Sequence, residues 1–395
     1  MRRLFRLVTL FAGLLPVCAA FAQPAPAASG IAFARLAHLQ RGINLSGWFT
    51  WGDYSQQHLD TWITPADLRL IHEMGFDNVR IGIDPAFLTH GSLVPRPTSQ
   101  SAQTEQALAQ LDHAVSEALA AHLAVTLTVF PDDNYKHALA GGDSGIDDLV
   151  LLWRVLAHHL AAADPDRVFF ELINEPEVSD PYRWMGIQAR LAAAIRGIDQ
   201  QHTLIATAAS YSSLPDLLRL EPVRDPNIIY TFHFYEPYPF THQGATWGSS
   251  DWVYYRDIPY PAPPQTLDRQ MKAVPDDLAR YNLYLYGAGA WSEQAFAQRL
   301  AFAAAWAQER GVPILCNEFG VYRDTADPAS RARWIEDVRS ALDQNHIPWA
   351  MWDYRGNFGI VIHTGSEITP DPAILRALGL NANVPPAALE TPGPH

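Results

Sequence analysis

Residues 167–176 read Arg-Val-Phe-Phe-Glu-Leu-Ile-Asn-Glu-Pro. The run 168–173 is apolar and rich in Val, Ile and Phe, which suit a pleated, buried strand. Pro176 has no N–H to give a ladder, so the strand stops before it. Asn174 and Glu175 then stand at the carboxyl end of a buried strand. In a parallel α/β barrel that end is the face on which active sites are built. Residues 312–320, Val-Pro-Ile-Leu-Cys-Asn-Glu-Phe-Gly, repeat the form. An apolar run again ends in a glutamate, Glu318, and a chain-breaking residue. Either glutamate alone reads as a solvated loop carboxylate. Their shared context reads as two carboxylates facing one cleft.

Between and around these stretches, short apolar runs alternate with helical patterns, as in βα units. Strands are expected over 42–45, 78–83, 124–130, 168–173, 203–208, 228–235, 313–316 and 348–352. Eight is the number that closes a (β/α)8 TIM barrel. Helices are expected over 65–74, 103–122, 146–163, 181–199, 292–310 and 328–345, with a short one over 214–220. The first has Thr64 as N-cap, Pro65 at its first position and Gly75 at its end. A doubly wound open sheet alternates too, but no Gly-rich phosphate loop is present. The fold class is therefore α/β, a single-domain barrel over 31–382, with a long aromatic-rich loop after strand 6. Residues 23–30 form an Ala/Pro-rich tether, and residues 383–395 a loose Pro-rich tail.

The first 22 residues read as a secretory signal peptide. Arg2, Arg3 and Arg6 precede an apolar run over 7–17, with small Ala20 and Ala22 at the cut. Residues 7–17 are too short to span a bilayer, so no membrane span is expected in the mature chain. A secreted or periplasmic location follows. Removing Cys18 leaves Cys316 alone, so no intrachain disulfide forms, and Cys316 reads as a small buried residue. The formal net charge of −14 gives no electrostatic footprint for nucleic acid.

The two strand-end motifs, Asn174-Glu175-Pro176 and Asn317-Glu318-Phe319-Gly320, resemble glycoside hydrolase family 5, the cellulase-type retaining β-glycosidases. The resemblance runs from about residue 41 to about residue 380. It implies Glu175 as acid/base and Glu318 as nucleophile, acting on a β-linked polysaccharide or oligosaccharide. It points Arg80 of strand 2 at Glu318, against the plainer reading of a structural ion pair in the barrel wall. It gives Asn174 the sugar 2-hydroxyl, places His233 and Tyr235 near the two glutamates, and makes Trp352 the platform under the reacting sugar. An endo-β-1,4-glucanase is the expected activity. A β-1,3-glucanase or β-mannanase of the same family is the alternative, and a non-catalytic saccharide-binding barrel a further one. No cofactor is called for, no metal-ligand spacing is present, and a monomer is expected.

Trp48 and Trp51 follow strand 1 and read equally as sugar-stacking or packing residues. The long connection after Tyr235 carries Trp247, Trp252, Tyr254, Tyr255 and Tyr260, as a saccharide-binding wall or as the loop's own core. Glu171, short of the strand end, is expected to point into the lower barrel with a polar partner. Trp349 reads as core. Asp132 and Asp133 line the cleft or form a solvated turn. One departure from the family stands out: strand 3 ends Leu127-Thr128-Val129-Phe130-Pro131, without the histidine often found there. The subsite beside the cleavage point therefore has its own shape.

Overall fold

The computed structural model describes residues 30–89, 102–365 and 367–388. The signal peptide, nearly all of the tether and residues 389–395 lie outside the described residues. Eight parallel strands close into one barrel in sequence order. They are β1 (Arg41–Asn44), β2 (Asn78–Ile83), β3 (Ala124–Val129), β4 (Val168–Glu171), β5 (Thr203–Thr207), β6 (Ile228–His233), β7 (Ile314–Phe319) and β8 (Trp349–Met351). β8 pairs back onto β1 through Arg41–Trp349, Gly42–Ala350 and Ile43–Met351. With no edge left, every strand is buried on both faces, which is why the sequence shows continuous apolar runs rather than alternation.

Helices ring the barrel. Pro65–Met74 begins in a capping box: Thr64 accepts from Asp67 N–H, and Asp67 accepts from Thr64 N–H. It ends where Gly75 turns left-handed, at φ 101°. Leu68, Ile71 and Met74 face the strands and are fully buried. Each such side chain contributes about 1.5–3 kcal/mol on leaving water. The expected 146–163 helix is Asp143–Leu160, preceded by a separate helix, Asp133–Gly141. Asp132 caps the latter by accepting from Tyr135 N–H at 2.8 Å, which gives this acid a structural task.

Strand ends differ from expectation in ways that matter. β4 leaves the ladder after Glu171, and β7 continues past Cys316 through Glu318. The β6–β7 register shifts, pairing Phe232 with Cys316 but His233 with Glu318. Such a bulge re-aims side chains.

Further elements were not anticipated. Helix Ile31–Leu36 closes the amino end of the barrel, where Ala32 and Leu39 pack on Ala124, Phe169, Ile205, Ile229 and Leu315. Its Arg35 reaches Asp166 at 2.9 Å and Thr203 Oγ1 at 3.1 Å. Beyond β8 lies an antiparallel sheet of β9 (Val361–Thr364), β10 (Glu367–Pro370) and β11 (Ala387–Ala388). The tail drawn as loose from residue 383 thus contains a strand, paired to Glu367 and Ile368. The long β6–β7 connection folds into short helices, including Asp277–Ala288. Tyr255 and Tyr260 are buried in it and donate to Asp251 and Asp337 at 2.5 and 2.8 Å. For these two rings the loop-core reading holds.

Candidate active site

At the carboxyl end of β4 the chain is handed from one neighbour to the other. Leu172 N–H donates to Ile205 on β5, and Asn174 N–H to Val129 on β3, at 2.7 Å. Glu175 then adopts a left-handed backbone, φ 43°. For a residue with a Cβ that costs about 1–3 kcal/mol and marks a position held by its surroundings. Opposite, the bulged end of β7 presents Glu318. Gly320 is needed just beyond it, since a Cβ there would collide with the Trp352 carbonyl.

Glu175 and Glu318 face one another across the mouth. One carboxylate oxygen from each and a ring nitrogen of His233 all lie within 4.8 Å of one another. His233 Nδ1 is 2.8 Å from Glu175 Oε1 and 3.4 Å from Glu318 Oε2. Tyr235 donates its hydroxyl to Glu318 Oε2 at 3.0 Å. Among the described residues, these three donor groups form the cluster that could hold a cation. Arg80, Tyr235 and His233 already meet those carboxylates as hydrogen-bond partners, so the donor set fits proton chemistry rather than metal ligation.

Arg80 organises the floor. Its Nη1 donates to Glu318 Oε1 at 2.6 Å and Asn44 Oδ1 at 2.9 Å. Its Nη2 donates to Asn174 Oδ1 at 2.8 Å and Glu171 Oε1 at 2.9 Å, and its Nε to Glu171 Oε2 at 2.6 Å. All five guanidinium donors are used. The polar partner of Glu171 is therefore Arg80, which both sits in a buried ion pair in the barrel wall and reaches Glu318. With its oxygen held by Arg80, Asn174 has its amide nitrogen left to offer a ligand.

Burial pushes the Glu318 carboxyl up; the charges of His233 and Arg80 oppose this, and that of Glu175 adds to it. Burial acts upward on Glu175 too, but the hydrogen bond and charge of His233, with Lys136 and Arg80, carry it below the ordinary range. Two carboxylates this close titrate as a pair, so neither shift belongs to one residue alone. Burial, reinforced by the Glu318 charge, keeps the Tyr235 phenol protonated. Burial likewise keeps the Cys316 thiol neutral, in accord with a packing residue.

Among the aromatic residues, Trp352 follows β8 half-buried, with Phe130 nearly parallel to it at 5.9 Å and 17°. Trp51 is 62% exposed and stands edge-on to both rings. Trp48 is a correction: it is 4% exposed, packs on Phe49, and donates its indole N–H to the Leu59 carbonyl at 3.0 Å. Helix Gln56–Trp62 supplies that carbonyl and covers it. Trp247 is 43% exposed, edge-on to Tyr322. Trp252 is half-buried, stacked on Tyr238 and against His242. Trp349 is core.

Asn44, His242 and Asp353 were not singled out from sequence. Asn44 braces Arg80 and donates to the Asn317 and Met351 carbonyls at 2.9 and 3.1 Å. His242 lies in an aromatic cage beside Tyr235, where burial lowers its pKa to about 3. Asp353, next to Trp352, accepts from Ser46 and Gly356, and burial raises its pKa to about 6.

A parallel barrel with two facing glutamates at the ends of β4 and β7 is the frame of a glycoside hydrolase. The chain belongs to the cellulase family, glycosyl hydrolase family 5, whose model matches residues 37–358. It is 30% identical over 324 residues to Endoglucanase C of Acetivibrio thermocellus, covering 80% of this chain and 90% of that protein. It is 28% identical to Endoglucanase 3 of Fibrobacter succinogenes over 82% of its own length, but spans only 50% of that relative. A solved structure of Thermotoga maritima Cel5A with mannotriose superposes with a TM-score of 0.71, at 25% identity, covering 88% of this chain and 99% of that one. Among the described residues, no helix is long and apolar enough to cross a membrane.

Proposed function

We propose that this chain is an endo-acting β-1,4-glucanase that retains anomeric configuration, with Glu318 as nucleophile and Glu175 as acid/base. The observation that carries the proposal is the close approach of the pair, one oxygen of each lying within 4.8 Å of the other's. Retaining enzymes hold their carboxyls ~5–5.5 Å apart, whereas inverting ones need ~6.5–9.5 Å to admit a water.

Glu318 attacks the anomeric carbon as the bond to the leaving oxygen breaks, and Glu175 gives that oxygen its proton. Glu175 then takes a proton from water, which attacks the same carbon and frees Glu318. The first step requires an ionised Glu318 and a protonated Glu175. Arg80 and Tyr235 supply two donors to the Glu318 anion. Burial raises Glu318 while the contact with His233 lowers Glu175, so the first step needs the proton moved onto Glu175 when substrate binds. Asn174 offers its amide nitrogen to the 2-hydroxyl of the reacting sugar, a contact that strengthens in the transition state. Trp352 carries that sugar's apolar face, while Trp51 and Trp247 offer exposed rings farther along the cleft.

Relatives named as endoglucanases support β-1,4-glucan as the substrate. The basic and apolar leader over 1–22 supports export towards an external polymer. The test is hydrolysis of cello-oligosaccharides, with β-1,3-glucan and β-mannan in parallel, followed by NMR of the first-formed sugar. A β-anomer from the cello-oligosaccharides supports the proposal; an α-anomer, or cleavage confined to the other two polymers, contradicts it.

A further inference from the structure

Two strained stretches of backbone meet beside the acid/base glutamate. Glu175 is left-handed, at φ 43°, and the loop after β5 has three left-handed residues in a row, Ser210, Tyr211 and Ser212, at φ 48°, 61° and 56°. None is glycine, and residues with a Cβ visit this region singly rather than in runs. Such conformations persist only where surrounding groups hold them. The two stretches are joined, because Tyr211 N–H donates to the Pro176 carbonyl at 3.0 Å. Ser213, next along, bridges to His233 of β6, whose ring meets Glu175.

One side chain ties the same turn to its other neighbour. Glu177 Oε1 lies 3.7 Å from Lys136 Nζ, and Glu177 Oε2 lies 3.4 Å from His137 Nε2. Both partners stand on helix Asp133–Gly141, which follows β3. Lys136 is 6% exposed, so its charge needs a partner where it lies. Its Nζ is also 5.9 Å from the centre of the Tyr211 ring. Burial, and then the charge of Glu177, raises the Tyr211 phenol, which sets that carboxylate beside the same ring. Two residues past Glu175, Glu177 thus meets the elements that follow β3 and β5 at once. Against burial, His233 and then Lys136 lower the Glu175 carboxyl. Removing Glu177 therefore also leaves an uncompensated cation within electrostatic reach of the acid/base.

Building on the hydrolase reading above, we propose that Glu177 is a positioning residue for the acid/base. Its ties to Lys136, His137 and Tyr211 hold the turn over 175–177 so that the Glu175 carboxyl faces the leaving oxygen. Glu177 itself touches no reacting atom. A misplacement of about 1 Å costs about 100-fold in rate. That loss falls only where an acid is needed, because a good leaving group departs without a proton.

The test compares kcat/KM, which reports the steps up to the glycosyl-enzyme, on phenyl and dinitrophenyl β-cellobiosides. The phenyl oxygen needs a proton to leave; the dinitrophenyl oxygen does not. Glu177→Ala is expected to lose about 100-fold on the phenyl substrate and little on the other. Glu177→Gln keeps the shape without the charge, and is expected to show the same selective loss, smaller in size. In a Glu175→Ala background there is no acid to position, so adding Glu177→Ala is expected to change neither value further. A merely structural role predicts otherwise: equal losses on both substrates, or the same loss repeated without Glu175. Either result, or no loss on either substrate, overturns the proposal. Should Glu177→Ala not fold, Glu177→Gln decides by the same comparison: a loss confined to the phenyl substrate supports the proposal, and an equal or absent loss overturns it. Wild type that cuts both cellobiosides upholds the hydrolase reading whichever way the Glu177 variants fall. Wild type that cuts neither overturns both.

Discussion

Glu171 grips the guanidinium of Arg80 with two hydrogen bonds, 2.6 Å from Nε and 2.9 Å from Nη2. Both side chains are buried, and the opposite edge of the guanidinium is what reaches Glu318. Glu171 therefore sets the position of the Glu318 carboxylate through Arg80. Glu171→Ala leaves a buried cation with one carboxylate in place of two, a loss worth about 3–5 kcal/mol. Glu171→Gln keeps the shape and is expected to cost less stability while still lowering kcat. Urea unfolding alongside kcat and KM measures both. Unchanged kcat in a folded Gln variant would show that the grip is structural only.

The two glutamates separate by chemical rescue. Glu318→Gln is expected to abolish turnover with saccharide binding retained. Glu175→Ala is expected to form the glycosyl-enzyme from an aryl glycoside with a good leaving group, then stall for want of a base. Azide needs no base, so it restores turnover of that substrate in Glu175→Ala. Steady-state rates with and without azide decide it; rescue confined to Glu318→Gln with retained configuration reverses the roles.

The aromatic rings divide by position. Trp352→Ala is expected to lower kcat on every substrate, as the loss of a platform under the reacting sugar would. Trp247→Ala removes an exposed ring that packs on Tyr322, and is expected to raise KM on long chains while sparing short aryl glycosides. Trp252 also packs on Tyr238 and His242, so Trp252→Ala is expected to lower Tm as well. Values of kcat/KM against chain length, with Tm for each variant, test the division. A length-independent loss for Trp247→Ala removes it from the cleft.

Asp353 makes a pH-linked prediction. Burial lifts its pKa from the ordinary 3.8 to about 6. Between those values the folded chain binds more protons than the unfolded one, so this group's contribution to stability falls as pH rises. Two units correspond to about 3 kcal/mol by pH 7. Asp353→Asn cannot ionise, so its stability relative to wild type is expected to rise between about pH 4 and pH 7. A difference that stays flat across that interval contradicts the prediction.

Much of this was legible because the barrel writes its strands as apolar runs and its chemistry at their ends. Glu175, Glu318, Arg80 and the His233–Tyr235 pair could be found that way. Partners distant in sequence could not. Glu171 and Arg80 are 91 residues apart, and no periodicity joins them. Trp48 and Trp51 look alike in sequence, and only the packing of helix Gln56–Trp62 separates the buried ring from the exposed one. The plug helix Ile31–Leu36 is too short to show a period, and β9 to β11 are too short and mixed to stand out from loops. Phe130 was visible as a departure from the family, but its stacking on Trp352 needed the fold.

The central claim is that Glu318 becomes covalently bonded to the sugar. Incubating the enzyme with an activated 2-deoxy-2-fluoro-β-cellobioside slows both steps and lets the glycosyl-enzyme accumulate. Peptide mass spectrometry is predicted to find one added 2-deoxy-2-fluorocellobiosyl unit, placed on Glu318. An adduct on Glu175, or no adduct from an enzyme that still hydrolyses the unfluorinated substrate, would contradict the account.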